Sequence, residues 1–406
     1  MKIKDKLKIL YLVRSEADFE RVIALGVSGK GRFEQYFIYT GDVSLFFNDG
    51  IKNKFLKDLF KRNSLSIKNY WEYDFFTRVC FEVLKPSSVS IVDTMKDKSI
   101  IFKYIRSYIF RYIVQRRKKK FVAGIFKSIG PNILVTDRSQ TIKSYLPEII
   151  RRKALEYNIP SFIFAHGAGG GLHSSFSPEL ESDKYTDYYV VVCNEHELLQ
   201  NSNNHVVIGD ISSSFNYITL IHKDETHSIE FGKDRDKRLV FFVSGGPSTA
   251  TNGWCKMEEI IVNLSSCSEV SIIVKTHPRS PNELKSSIIN SFSNVTIVDS
   301  EIDNSRLIKW ANIIVATDQC SVVFEPMILG KKVVAIETVH IPRYKNKHSP
   351  LVESSVVHIT SPSEFNLNDI SNSDPNDPII NEIAWGGNGK IDLAKLFLDH
   401  IEKKLI

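Results

Sequence analysis

Residues 307–337 read LIKWANIIVATDQCSVVFEPMILGKKVVAIE, and the order of element types in this stretch decides the fold. Ile313, Ile314, Val315 and Ala316 form an unbroken apolar run. That is the pattern of a strand in a parallel sheet, where helices cover both faces. Thr317-Asp318-Gln319-Cys320-Ser321 follows as a turn at the strand's carboxyl end. Val322 to Leu329 has helical spacing, Gly330 suits the position just past a helix, and Val333 to Ile336 is the next buried strand. Pro326 removes a backbone donor, so it fits only the first turn of that helix. Open α/β sheets bind ligands beyond the carboxyl ends of their strands. A helix N-terminus there presents free N–H groups and partial positive charge to a phosphate. Ser321 and Glu325 are four apart and share a helix face. A hydroxyl beside a diphosphate and a carboxylate one turn on suit a nucleotide, with Glu325 accepting from ribose hydroxyls. An ordinary βαβ unit with a polar turn has the same outline.

The same rhythm extends in both directions. Upstream, Val270 to Val274 is a strand ending in Lys275-Thr276-His277-Pro278-Arg279, which groups three cations at a turn fixed by Pro278. Leu239 to Val243 is another, running into Ser244-Gly245-Gly246, where the glycines permit close backbone approach to a diphosphate. Met257 to Leu264 reads as a helix. In the first half, the strands are Lys8 to Val13, Phe33 to Thr40, Ile133 to Thr136, Pro160 to Ala165, Asp187 to Val192 and Val206 to Ile208. Helices are expected over Glu16 to Leu25 and Ser144 to Tyr157. Arg14 lies at the first strand's end, in place to reach a phosphate. Asp137 follows the third strand. His166 follows the fourth, beside Gly167, Gly169, Gly170 and Gly171, and is the first domain's candidate general base, because its ordinary pKa of about 6.5 lies near working pH. Asp137 and Glu179 are the other catalytic candidates.

The chain has 406 residues, 42% hydrophobic and 25% charged, enough for two ordinary domains of a soluble protein. Its formal charge of +6 is modest and no zinc-finger or RNA-binding pattern accompanies it, so nucleic acid is not the expected partner. Five scattered cysteines form neither a disulfide framework nor a metal-ligand spacing, which points to a reducing cytoplasm. No metal or cofactor is expected. The segment 222–238 is polar, charged and without periodicity. It divides an N-terminal Rossmann-like acceptor domain (1–221) from a C-terminal Rossmann-like donor domain (239–385), and 386–406 is a closing helix expected to pack back on the first domain. Its Asp234-Arg235-Asp236 reads as solvated charge. Residues 101–120 combine Phe102, Ile105, Ile109 and Tyr112 with a run of arginines and lysines. Such a helix suits peripheral contact with the inner membrane's anionic cytoplasmic face, or an amphipathic helix packed on a core.

TDQCSVVFEPMILGKKVV resembles the segment that nucleotide-sugar proteins of the GT-B superfamily carry in their second domain. Two branches are most similar: bacterial surface and capsule polysaccharide transferases, including glycerophosphotransferases, and UDP-N-acetylglucosamine 2-epimerases. Lys332 and Pro326 depart from both patterns. PNILVTDRSQT followed by IPSFIFAHGAGGG is similar to paired segments of the same branches. The transferases carry a His-Gly there with the base role. The epimerases carry a carboxylate where this chain has Ala168, although Asp137 matches an acidic residue of theirs. The His277-Pro278 pair occurs at the same place in both, facing the nucleotide. The resemblance implies two Rossmann-like domains facing a cleft. It also implies a nucleotide-sugar donor held by Ser244, Gly245, Gly246, His277, Pro278, Arg279, Thr317, Asp318, Ser321, Val322 and Glu325, and a glycan or lipid-linked glycan acceptor. The favoured activity is metal-independent transfer of a sugar or polyol phosphate. Epimerisation, or nucleotide-sugar binding without catalysis, are the alternatives.

Overall fold

A computed structural model describes residues 6–13, 16–39, 58, 61, 67–69, 112, 116, 118–137, 146–164, 187–191, 205–223, 235–243, 247–276, 289–298, 302–318, 320–337, 354–389 and 391–405. Strands β1 (Lys8–Val13), β2 (Glu34–Tyr39), β3 (Ile67–Asn69), β4 (Ile133–Asp137), β5 (Ser161–Phe164), β6 (Tyr188–Val191) and β7 (His205–Val207) form one sheet, ordered β3-β2-β1-β4-β5-β6-β7. Strands β8 (Lys237–Phe242), β9 (Val270–Lys275), β10 (Val295–Val298), β11 (Ile313–Thr317), β12 (Lys332–Ile336) and β13 (Val357–Ile359) form the second, ordered β10-β9-β8-β11-β12-β13. Every named strand pair is parallel. In each sheet the order reverses between two central strands, β1 and β4 in the first and β8 and β11 in the second. These are the topological switch points, where α/β sheets open a crevice for ligands.

The apolar runs become central strands because both their faces are covered. Every residue of β9 and of β11 is buried. The edge strands β10 and β13 are only partly buried, and correspondingly lack a readable run. Among the described residues the helices include α1 (Glu16–Ser28), α2 (Leu146–Glu156), α3 (Phe215–Lys223), α4 (Pro247–Leu264), α5 (Asn304–Trp310), α6 (Phe324–Ile328), α7 (Pro378–Ile383) and α8 (Leu393–Leu405). Helix α4 begins ten residues before the expected Met257. Pro247 is pre-set for a first helical position, while Ser248, Thr249, Thr251, Asn252 and Gly253 are weak helix formers that hid the start. Helix α3 runs to Lys223 and β8 starts at Lys237, so both elements enter the segment read as linker. The apolar face of α3, Tyr217, Ile218 and Ile221, extends the helix past the polar boundary. Arg235, read as solvated, is anchored: its Nη1 donates to the carbonyls of Ser268 and Val270 at 2.8 and 3.2 Å.

The chain returns to the first sheet at its end. Trp385 is 2% exposed, and its Nε1 donates to Ser213 O at 3.1 Å. Asp210 N donates to Ala384 O at 2.8 Å. Gly209, at φ +97°, lets the backbones meet: a Cβ there would lie 2.8 Å from Ala384 O and Trp385 Cα. Helix α8 then packs on the first sheet, with the Phe397 ring edge-on to Phe162 and Phe164 at 5.5 and 4.9 Å. Arg32 Nη2 holds its outer face through Asp399 and Glu402 at 2.6 and 2.8 Å. On the opposite sheet face, Val122, Ile125 and Phe126 of the helical stretch 118–129 pack with Ile149, Ile150 and Ala154 of α2. Thus the described end of the basic helix sits on the core, while Arg116, Lys119 and Lys120 remain exposed. Among the described residues no helix is long and apolar enough to cross a membrane.

Candidate functional site

The site forms where β11 ends, at the switch point of the second sheet. Thr317 is its last residue and is 1% exposed. Asp318 N donates to Ile336 O at 3.0 Å, which pins the turn to β12. Cys320 N donates to Thr317 O at 2.9 Å and closes the turn. The expected continuous helix from Val322 is two pieces: a 3₁₀ turn over Ser321–Val323, then α6. Val323, Phe324, Met327 and Ile328 are buried, and this packing fixes the direction of the short helix. Pro326 is the third residue of α6, inside the first turn, so its missing N–H costs no helical bond. Gly330, at φ +67°, ends the helix by donating to Met327 O at 2.9 Å.

Glu325 points its carboxylate at side chains of other elements. Its Oε1 pairs with His222 Nε2 of α3 at 2.6 Å, and its Oε2 accepts from Ser305 Oγ of α5 at 3.1 Å. Ser305 is itself placed by Asp303, the N-cap of α5, which accepts from Ser305 N at 3.3 Å. The carboxyl end of β9 reaches the same end of the sheet. Lys275 is buried there and its Nζ donates to Asn304 Oδ1. The Cys320 thiol feels this ammonium; burial nevertheless pushes the thiol's pKa up, and the Val322 backbone and Lys275 pull it part of the way back. Lys275, at the end of β9, and the turn that carries Cys320 are therefore neighbours. Behind α6, Lys331 Nζ donates to the carbonyls of Ile308, Lys309 and Ala311 at 2.6, 3.3 and 2.7 Å, capping α5. Burial, then the Arg238 charge, push the Lys331 amine down to about 8, against an opposing pull from Glu325.

The Thr317 Oγ1 is buried without a hydrogen-bond partner among the described residues. Alternation along β11 puts Thr317 on the face of Ile313 and Val315, the face covered by α4. Val322 is partly buried beside Phe324. Asp137 ends β4 at the first sheet's own switch point. Arg14, His166, Glu179, Ser244, Gly245, Gly246, His277, Pro278 and Arg279 lie outside the described residues, as does most of 101–120. Among the described residues no cluster of His, Cys, Asp or Glu is arranged to hold a metal ion. Sequence reasoning did not bring in His222, Ser305 or Asn304. The Asp303-Asn304-Ser305 run is a readable N-cap signal, whereas His222 has none, being the first residue of a polar run.

Two Rossmann-ordered parallel sheets with the C-terminal helix returned to the first define the GT-B architecture. Solved structures of that architecture match over nearly the whole chain. UDP-GlcNAc 2-epimerase from Neisseria meningitidis bound to UDP-GlcNAc is 12% identical at a TM-score of 0.57, covering 98% of this chain and 100% of that one. The UDP-GlcNAc 2-epimerase of Methanocaldococcus jannaschii is 16% identical at 0.57, covering 98% and 99%. That of Rickettsia bellii is 11% identical at 0.55, covering 98% and 97%. No protein-family model and no curated protein sequence matches the chain.

Proposed function

We propose that this chain transfers a sugar, or a polyol phosphate, from a nucleotide-activated donor to a bacterial surface glycan or lipid-linked glycan. The observation that supports this reading is the Thr317-Asp318 turn at the second sheet's switch point, with Glu325 one turn on, in a GT-B chain. The second lobe holds the donor: Glu325 takes the ribose, while Ser321, His277 and Arg279 take the phosphates, with Ser244 to Gly246 and Thr317 to Val322 around them. Arg14 approaches from the first lobe. His166 accepts the proton of the acceptor hydroxyl, whose oxygen attacks the transferred centre as the nucleotide phosphate leaves; Asp137 and Glu179 are the carboxylates near that step. Helix N-termini and cations offset the leaving-group charge. No metal is assigned a part, so EDTA leaves turnover intact. The work is placed in the cytoplasm, with residues 101–120 touching the inner face of the membrane.

A second reading, sugar-nucleotide epimerisation, is favoured by the full-length likeness to UDP-GlcNAc 2-epimerases. Ala168 counts against it, standing where the resembling epimerases carry a carboxylate. Incubation with UDP-GlcNAc and no acceptor separates the two. Transfer leaves the sugar's C2 configuration intact and epimerisation yields the 2-epimer.

A further inference from the structure

We infer that His222, on the first lobe's last described helix, is the positioning residue that aims Glu325 at the ribose diol of the nucleotide; this rests on the reading of Glu325 as ribose ligand. A carboxylate has about four acceptor positions on its two oxygens. One position on Oε1 is taken by His222 Nε2, which carries the proton because its partner accepts, and one on Oε2 by Ser305 Oγ. One acceptor position remains on each oxygen, a match for two vicinal hydroxyls that both donate. The two fixed bonds come from different directions, α3 and α5, and set the carboxylate's rotation about its last bond. His222 and Glu325 are 13% and 21% exposed, so the pair is sheltered from competing water while Glu325 keeps an open edge. The bond at 2.6 Å also crosses between lobes: His222 sits just before the segment joining them, and Glu325 follows the donor turn. A ligand that engages Glu325 thereby depends on how α3 lies against α5 and α6.

The test is calorimetric titration of the full chain with UDP and with 2′,3′-dideoxy-UDP. Wild type should bind UDP more tightly. Glu325→Gln and His222→Ala should each weaken UDP by about tenfold, the order expected for a charge-assisted hydrogen bond, and neither should weaken the dideoxy analogue. The double variant should lose no more than Glu325→Gln alone, and His222→Gln, which restores a donor, should recover part of the affinity. If Glu325→Gln loses the preference for UDP while His222→Ala keeps it, the inference about His222 is wrong and the ribose reading stands. If His222→Ala weakens both ligands equally, its role is structural and the inference again fails. Where CDP, GDP or CMP binds in place of UDP, the same pair is run with that nucleotide; if Glu325→Gln binds it as wild type does, if wild type binds it and its dideoxy form equally, or if wild type binds none of the four, the ribose reading falls, and the inference with it.

Discussion

Trp385 joins the end of the second lobe to the first, and replacing it with Ala should be among the most destabilising changes in the chain. A Trp side chain buries about 150–250 Å², worth roughly 4–6 kcal/mol at about 25 cal/mol per Å². At 2% exposure nearly all of this is realised, and the Nε1 bond to Ser213 O adds about 1 kcal/mol. Partial collapse of the site lowers the observed cost to about 3–5 kcal/mol. Trp385→Phe keeps most of the ring and orphans Ser213 O, so it should cost about 1–3 kcal/mol. Gly209→Ala attacks the same contact from the other side: its Cβ meets backbone, which cannot rotate away, at a positive φ. It should approach the cost of Trp385→Ala. The assay is urea unfolding followed by far-ultraviolet circular dichroism, which does not depend on the tryptophan signal. A Trp385→Ala protein within 1 kcal/mol of wild type, a shift far below the cavity cost just worked, would refute the reasoning: the C-terminal segment would then not be clamped to the 208–214 loop.

Two further outcomes follow from the site. The Lys331 amine titrates at about 8 in the folded chain against 10.5 unfolded, so between these values the unfolded chain holds a proton that the folded chain has lost. Stability should therefore rise with pH across that window, and below it the burial cost should persist; unfolding at several pH values should show this rise in wild type and not in Lys331→Met. His166→Ala should lower turnover by about 10²–10⁴-fold with donor affinity little changed and the ascending limb of the pH profile lost; near wild-type turnover with the same profile would place the base elsewhere.

How far the fold could be read depended on burial. β8, β9, β11 and β12 are central, each carries an apolar run of three or four residues (Leu239 to Phe242, Ile272 to Val274, Ile313 to Ala316, Val333 to Ile336), and the run at Ile313 to Ala316 declared itself. β3 and β13 are three residues long, and β10 is an edge strand with one buried residue, so no apolar period marked them. The strand-end position of Thr317 and Asp318 followed from the strand and turn alone, because chain order fixes which end of a parallel strand meets the crevice. The partners of Glu325 did not follow. His222 precedes it by 103 residues and Ser305 by 20, and local periodicity carries no record of contacts across elements. The α4 start was hidden for a different reason: its first turns are polar and made of weak helix formers.

The central claim is that the nucleotide of a nucleotide-linked donor binds at the carboxyl end of β11. Amide hydrogen exchange with and without UDP-, CDP-, GDP- and CMP-linked sugars tests it most directly. The account predicts that the donor which binds slows exchange over residues 317–325 and in the first turn of α5, with little change in the edge strands β3 and β10. Protection mapped only to other elements, or none with any of these donors, would contradict it.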